Sequence, residues 1–178
     1  MSAEVFLGRD VITEKEVAIK TLKTQKSHDE TEEILEFENE VEILKNLDHD
    51  GIVRMYEAGM DGTMIYTNHE VEHDISYIVM EYERNEFFDF CLAMGAQGER
   101  SGKFFLHQLV DSIKYLHDRD IAHRDLKLEN MLVDKNLNLK IVDFGFAVKD
   151  KVHNLTQCCG TASYAAPELH EQKPYSGK

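Results

Sequence analysis

The sequence predicts an α+β fold in which a strand-rich part gives way to a helical one. Three observations carry this. Short apolar runs bounded by turn residues recur before Tyr82. One acidic stretch, 29–47, repeats its apolar residues at three and four. Beyond Tyr82 the helical period returns and persists. The 178 residues fit one domain, or one and part of another.

Val5-Phe6-Leu7 and Val17-Ala18-Ile19 read as two antiparallel strands joined by a hairpin. A helix follows over 29–47, with Ile34, Phe37, Val41 and Leu44 on one face. Asp29, Glu30, Glu32 and Glu33 load its first turns, where the helix dipole favours negative charge. Asp50-Gly51 predicts a turn before a strand at Ile52-Val53, Asp61-Gly62 a second turn, and 75–80 a further strand. A helix over 101–117 places Phe105, Leu109, Ile113 and Leu116 on one stripe. Met131-Leu132-Val133 and 139–142 read as strands around a turn at 134–138, and a long loop is expected beyond Asp143. The boundary between the two parts falls near 82–86.

Composition narrows the function. Twenty Lys and Arg against 34 Asp and Glu give a net charge of −14. Such a charge disfavours nonspecific binding to nucleic acid or acidic membranes and suits a basic peptide partner. No apolar run approaches the ~20 residues of a membrane span, and the first ten residues lack a signal-peptide core. The cysteines, Cys91, Cys158 and Cys159, are odd in number and show no framework spacing. A reducing setting follows, with cytoplasm the default compartment and the nucleus left open. Asn154-Leu155-Thr156 then reads as a loop sequence.

Lys20 ends a strand, and alone reads as a solvated charge. Glu40, twenty residues later, reads alone as a surface residue, yet it could pair with Lys20 and hold it against a phosphate. The run from His123 to Asn130 is more specific. Asp125 and Asn130 stand five apart, with Lys127 between them, in a polar loop flanked by apolar runs. Phosphoryl transfer needs such groups: a carboxylate to take or orient a hydroxyl proton, an amide oxygen for a hard cation, and a cation for the migrating group. Asp143-Phe144-Gly145 adds a second oxygen ligand, and Ala166-Pro167-Glu168 closes the following loop. Asp134, Asn136 and Asn138 have the one-three-five spacing of a calcium loop. Leu139 at position six and Gly145 at position twelve exclude an EF-hand.

In order and spacing these motifs resemble the eukaryotic protein kinases over nearly the whole chain. The resemblance implies an incomplete bilobal fold, with a small lobe over 1–82 and the start of a large lobe, through the activation segment, over 83–178. The Gly-rich loop and first strand would precede Met1, with Ala3 where the last glycine usually lies. By this resemblance the helices that complete the large lobe would be missing, which would uncover the Phe105–Leu116 face of the helix. ATP and Mg2+ are the implied cofactors. Lys20, held by Glu40, would contact the α- and β-phosphates, Asp125 would be the catalytic base, and Asn130 and Asp143 would hold the metal. Val5, Ala18 and Leu132 match residues that sandwich adenine. Val79-Met80-Glu81-Tyr82 matches the hinge, with Met80 as gatekeeper. His123, Phe144, Leu44 and Met55 match an apolar stack; ordinary core packing explains them and the adenine-sandwich residues equally well.

Lys127 and Thr161 follow the serine/threonine pattern, in which Thr161 would bond the catalytic Asp and Lys. Phe144-Gly145-Phe146-Ala147 and Tyr164-Ala165-Ala166-Pro167-Glu168 resemble the calcium/calmodulin-dependent and AMP-activated kinase group. The implied activity is transfer of the γ-phosphoryl group of ATP to protein Ser or Thr. The alternatives are a weak or inactive kinase fragment serving as a nucleotide- or protein-binding module, and a kinase of small molecules. Glu86 and Glu129 match acidic positions that hold substrate arginines, though both could be solvated charges. Arg124 matches the residue that reads a phosphorylated loop. Gln157 occupies the usual phosphothreonine position, so either Thr156 is phosphorylated or activation needs no phosphate. Oligomeric state is not fixed by the sequence.

Overall fold

The computed structural model describes residues 3–22, 30–66, 68–95, 98–150 and 152–178. The chain divides into two compact units. One comprises Met1–Lys45 and Arg54–Tyr82; the other comprises Asn46–Val53 and Glu83–Lys178.

The first unit is a four-stranded antiparallel sheet with one helix. β1 (Ala3–Arg9) and β2 (Glu16–Leu22) form a hairpin. Its turn is held by Asp10, whose Oδ1 accepts from the backbone N–H of Ile12 at 3.1 Å and of Thr13 at 2.6 Å. β3 (Met55–Ile65) and β4 (Val71–Glu81) form a second, longer hairpin, and the sheet order is β1-β2-β4-β3. Strand β2 is therefore central, and its register sets Lys20 opposite Val5 and Ile78, and Ala18 opposite Met80. Helix α1 (Glu30–Lys45) buries Phe37, Glu40, Ile43 and Leu44, while Ile34 and Val41 are half-buried. The acidic first turn includes Asp29, which lies outside the described residues, as do the side chains of Glu30 and Glu32; so do Met1, Ser2 and the side chain of Ala3.

Asp61-Gly62 is not a turn. It lies inside β3, where the pairing with β4 shifts register between Gly59 and Gly62. A glycine in a strand marks a bulge as readily as a turn, and the chain reverses only after Ile65. Ile52-Val53 is not a strand of that sheet either. Ile52 makes an isolated parallel bridge to Ile141 in the second unit, with Val53 N–H donating to the Ile141 carbonyl at 3.0 Å.

In the second unit, β5 (Asn85–Glu86) leads into α2 (Phe87–Met94) and α3 (Glu99–His117). The hairpin β7 (Met131–Val133) and β8 (Leu139–Ile141) pairs with β5. Its turn is fastened by Asp134, which accepts from the N–H of Asn136 and Asn138 at 2.7 and 2.8 Å. Phe87, Phe105, Met131, Val133 and Leu139 form one buried cluster, with Leu109 packed beside it. Within the Phe105–Leu116 stripe, Phe105 and Leu116 are buried and Leu109 and Ile113 half-buried; the exposed apolar residues of α3 are Phe104, Leu106 and Val110. Beyond Asp143 the chain is more regular than a loop. β9 (Val148–Lys149) pairs with β6 (Ile121–Ala122), a 3-10 turn spans Ala162–Tyr164, and α4 covers Pro167–His170. Among the described residues no helix is long and apolar enough to cross a membrane.

Phe105 meets the rings of Phe87 and Phe90 at 4.8 and 5.6 Å. Phe105→Ala is expected to cost about 3–5 kcal/mol. Phe104→Ala, half-exposed on the same helix and meeting the Phe105 ring at 5.1 Å, should cost less, about 0.5–1.5 kcal/mol. Thermal unfolding of both variants tests this; equal losses would contradict the packing described.

Candidate active site

In the first unit, Lys20 and Glu40 are joined. Lys20 Nζ donates to both Glu40 carboxylate oxygens, at 2.8 and 2.7 Å. Lys20 is 7% and Glu40 2% exposed. A lysine on a central strand cannot reach water easily, so its charge is met by the carboxylate that α1 presents. Removing one partner of such a pair leaves a buried charge uncompensated, at about 3–5 kcal/mol. Met80 is buried near Ala18 across the β2–β4 ladder, Glu81 and Tyr82 are half-buried, and Val5 is exposed. The Glu81 N–H is taken by the Arg54 carbonyl at 2.8 Å.

In the second unit, the polar loop runs from β6 to β7 and is fixed from both sides. Val142 N–H donates to the Asn130 carbonyl at 3.0 Å. His123 Nε2 lies 3.0 Å from the Val142 carbonyl, which can only accept, so Nε2 carries the proton and Nδ1 accepts the Asp125 N–H at 3.3 Å. The imidazole also meets Phe144 edge-on, with ring centres 4.9 Å apart. Arg124 and Asp143 both have positive φ, 67° and 62°. Non-glycine residues in that region store strain that the surrounding bonds must hold.

The buried Asp125 carboxylate is the hub. Its Oδ1 accepts from the Thr161 N–H and the Thr161 hydroxyl, both at 2.7 Å. Its Oδ2 accepts from Lys127 Nζ at 2.8 Å and Asn130 Nδ2 at 2.9 Å. Lys127 Nζ also donates to Thr161 Oγ1 at 2.7 Å. Burial would push the Asp125 pKa up, but the bonds from Lys127 and Thr161 outweigh it and hold the carboxyl below its ordinary value. The bond to Asp125 in turn raises the Lys127 pKa. Both groups are charged at neutral pH.

Asn130 spends its other amide hydrogen on the Asp125 carbonyl at 3.0 Å. With the amide nitrogen committed to Asp125, Oδ1 is the atom suited to a hard cation. Asp143, exposed, adds a carboxylate. Among the described residues no group of three or more His, Cys, Asp and Glu could hold a metal alone. Leu132 is half-buried on β7, opposite Glu86 of β5. Glu86 and Glu129 are exposed, and Glu129 accepts from the Tyr164 hydroxyl at 3.1 Å. Thr156 is exposed.

The sequence places Gly160 beside Thr161 but assigns it no role. Its φ is +88°, and a Cβ there would lie 2.4 Å from the Arg124 carbonyl oxygen. Only glycine lets the chain pass so close and deliver the Thr161 N–H to Asp125. The available signal was its place directly before Thr161.

The protein kinase domain family model matches residues 1–178, and the chain belongs to that family. It is 36% identical over 179 residues to the maternal embryonic leucine zipper kinase of Danio rerio, covering 98% of this chain and 24% of that protein. It is 38% identical over 180 residues to a probable serine/threonine-protein kinase, MARK-B, of Dictyostelium discoideum, covering 99% and 23%. The chain spans about a quarter of the length of the curated relatives it matches.

Two outcomes are expected from this geometry. Gly160→Ala should cost about 1–3 kcal/mol through strain and contact, while Gly102→Ala, with nothing within 4 Å, should not destabilise; thermal midpoints compare them. The second concerns pH. Burial pushes the His123 pKa below 6.5, against its bond to Val142. The unfolded chain then binds a proton that the folded chain refuses, so this stability is complete above about pH 6.5. It is lost as the pH falls toward the folded value. His117, also lowered by burial, acts in the same sense. The midpoint should drop between pH 7.5 and 5.5, and drop less in His123→Asn; a flat profile would contradict this.

Proposed function

We propose that this chain carries the catalytic groups of a serine/threonine protein kinase, which transfers the γ-phosphoryl group of ATP to a Ser or Thr hydroxyl of a protein. One observation carries the reading: a buried carboxylate, Asp125, shared by Lys127 and Thr161 at 2.7–2.8 Å. Asp125 orients the acceptor hydroxyl and takes its proton as the oxygen bonds to the γ-phosphorus. The bond to the β–γ bridging oxygen breaks and ADP leaves. With its pKa lowered, Asp125 is ionised at neutral pH and works chiefly by orientation and late proton transfer. Lys127 offsets charge on the migrating group.

Lys20, held by Glu40, takes the α- and β-phosphates. Asn130 Oδ1 and Asp143 would hold magnesium, which would supply charge neutralisation at the phosphates. Val5, Ala18 and Leu132 flank adenine, with Met80 as gatekeeper and the backbone from Glu81 past Tyr82 meeting its edge. Glu86 and Glu129, in a chain of net charge −14, favour substrates basic around the acceptor. Cytoplasm is the proposed compartment.

Phosphate transfer from labelled ATP to an arginine-rich peptide, with magnesium, tests this. Asp125→Ala should lower the rate by about 10²–10⁴-fold, and Lys20→Met should also abolish useful turnover. Variants that fold, by circular dichroism, yet transfer at the parent rate would sink the assignment.

A further inference from the structure

We propose that Gln157 is a positioning residue of this site: its neutral side-chain oxygen holds Arg124, so that the segment reaching Asp125 is ordered without a phosphate. The inference rests on the kinase reading above and names how that site is regulated.

Arg124 precedes Asp125 and has φ 67°. Its guanidinium Nε donates to the Phe146 carbonyl at 2.6 Å, and Nη1 donates to Gln157 Oε1 at 3.2 Å. Both of these partners are neutral. One arginine thus bridges the start of the segment, just after Asp143-Phe144-Gly145, to its middle.

Gln157 is gripped a second time, because its backbone carbonyl accepts from the Tyr175 hydroxyl at 2.8 Å. Tyr175 is itself fixed by a two-bond bridge: Leu155 N–H donates to its carbonyl at 2.8 Å, and its N–H donates to the Leu155 carbonyl at 2.9 Å. Gly177 N–H adds a bond to the Val152 carbonyl at 2.8 Å. Three residues past Gln157 the chain makes its tight passage at Gly160, and Thr161 then meets Asp125. Freeing Arg124 from Gln157 removes one of the two restraints next to that passage, the one made by the side chain.

A phosphate at this place would bring a charge of about −1.5 to −2, present only after modification. An amide oxygen is a permanent acceptor and needs no enzyme to install it. The Arg124–Gln157 bond is exposed and 3.2 Å long, so the lower end of the range for a hydrogen bond to a charged group applies, about 10-fold in the population of the ordered segment.

The test uses the chain freed of phosphate by phosphatase and verified by intact mass, beside Gln157→Ala and Gln157→Glu. Two readouts are taken: transfer to peptide, and amide hydrogen exchange over 152–161. The phosphate-free parent should keep its transfer rate. Gln157→Ala should lose about 10-fold and exchange faster over 152–161. Gln157→Glu, which keeps an acceptor, should restore both. Loss of transfer when phosphate is removed from the parent would overturn the proposal. So would a Gln157→Ala variant equal to the parent in exchange, or a Gln157→Glu variant as impaired as the alanine. If no form transfers phosphate, the exchange comparison still decides the role of Gln157. Protection in the parent that is lost in Gln157→Ala would then fault the kinase reading alone.

Discussion

A buried carboxylate must be met on both oxygens or it will not stay charged, and Asp125 imposes that demand on everything around it. Thr161 answers it twice on Oδ1, and Lys127 and Asn130 answer it on Oδ2. Each answer constrains the chain. Thr161 lies 36 residues away, so bonding it closes a long loop over the site. That closure is possible only because Gly160 passes within reach of the Arg124 carbonyl. Asn130 turns its nitrogen to Asp125, and its oxygen is thereby assigned to other work. The site's geometry is in this sense the solution to one desolvation problem.

The strands and main helices were legible because each buries one face, and the periods of two and about 3.6 record that burial. The apolar stripe of α3 is of this kind, whereas Met131-Leu132-Val133 was legible as a short apolar run bounded by turn residues. Ile52-Val53 misled because an apolar pair says that it is buried, not which element it joins; Ile141 supplies the bridge. Asp61-Gly62 misled because turns and bulges share the same residues. The pairing β6–β9 was invisible, since two residues carry no period.

For the site, local chemistry was enough to single out the Asp125–Asn130 loop and insufficient for Lys20 and Glu40. A strand-end lysine and a helix glutamate are ordinary surface residues until the sheet order is known. Once β2 lies between β1 and β4, Lys20 is buried, and a buried ammonium needs a partner. The pairing is a consequence of topology, which no single residue announces. Gly160 belongs to the same class, because its necessity comes from a carbonyl 36 residues earlier.

Strain and order are linked in the Asp125 loop. Arg124 and Asp143 occupy left-handed backbone, at about 1–3 kcal/mol each if nothing compensated. Arg124 is held there by bonds its side chain makes on the far side, to Phe146 and Gln157. The arginine therefore does two jobs with one set of contacts. It keeps its own backbone in the conformation that aims Asp125 inward, and it tethers the segment that brings Thr161 to meet that carboxylate. A charged acceptor would strengthen the tether but would make it conditional on modification. A neutral acceptor weakens each bond and makes the arrangement permanent, which favours an ordered site over a regulated one.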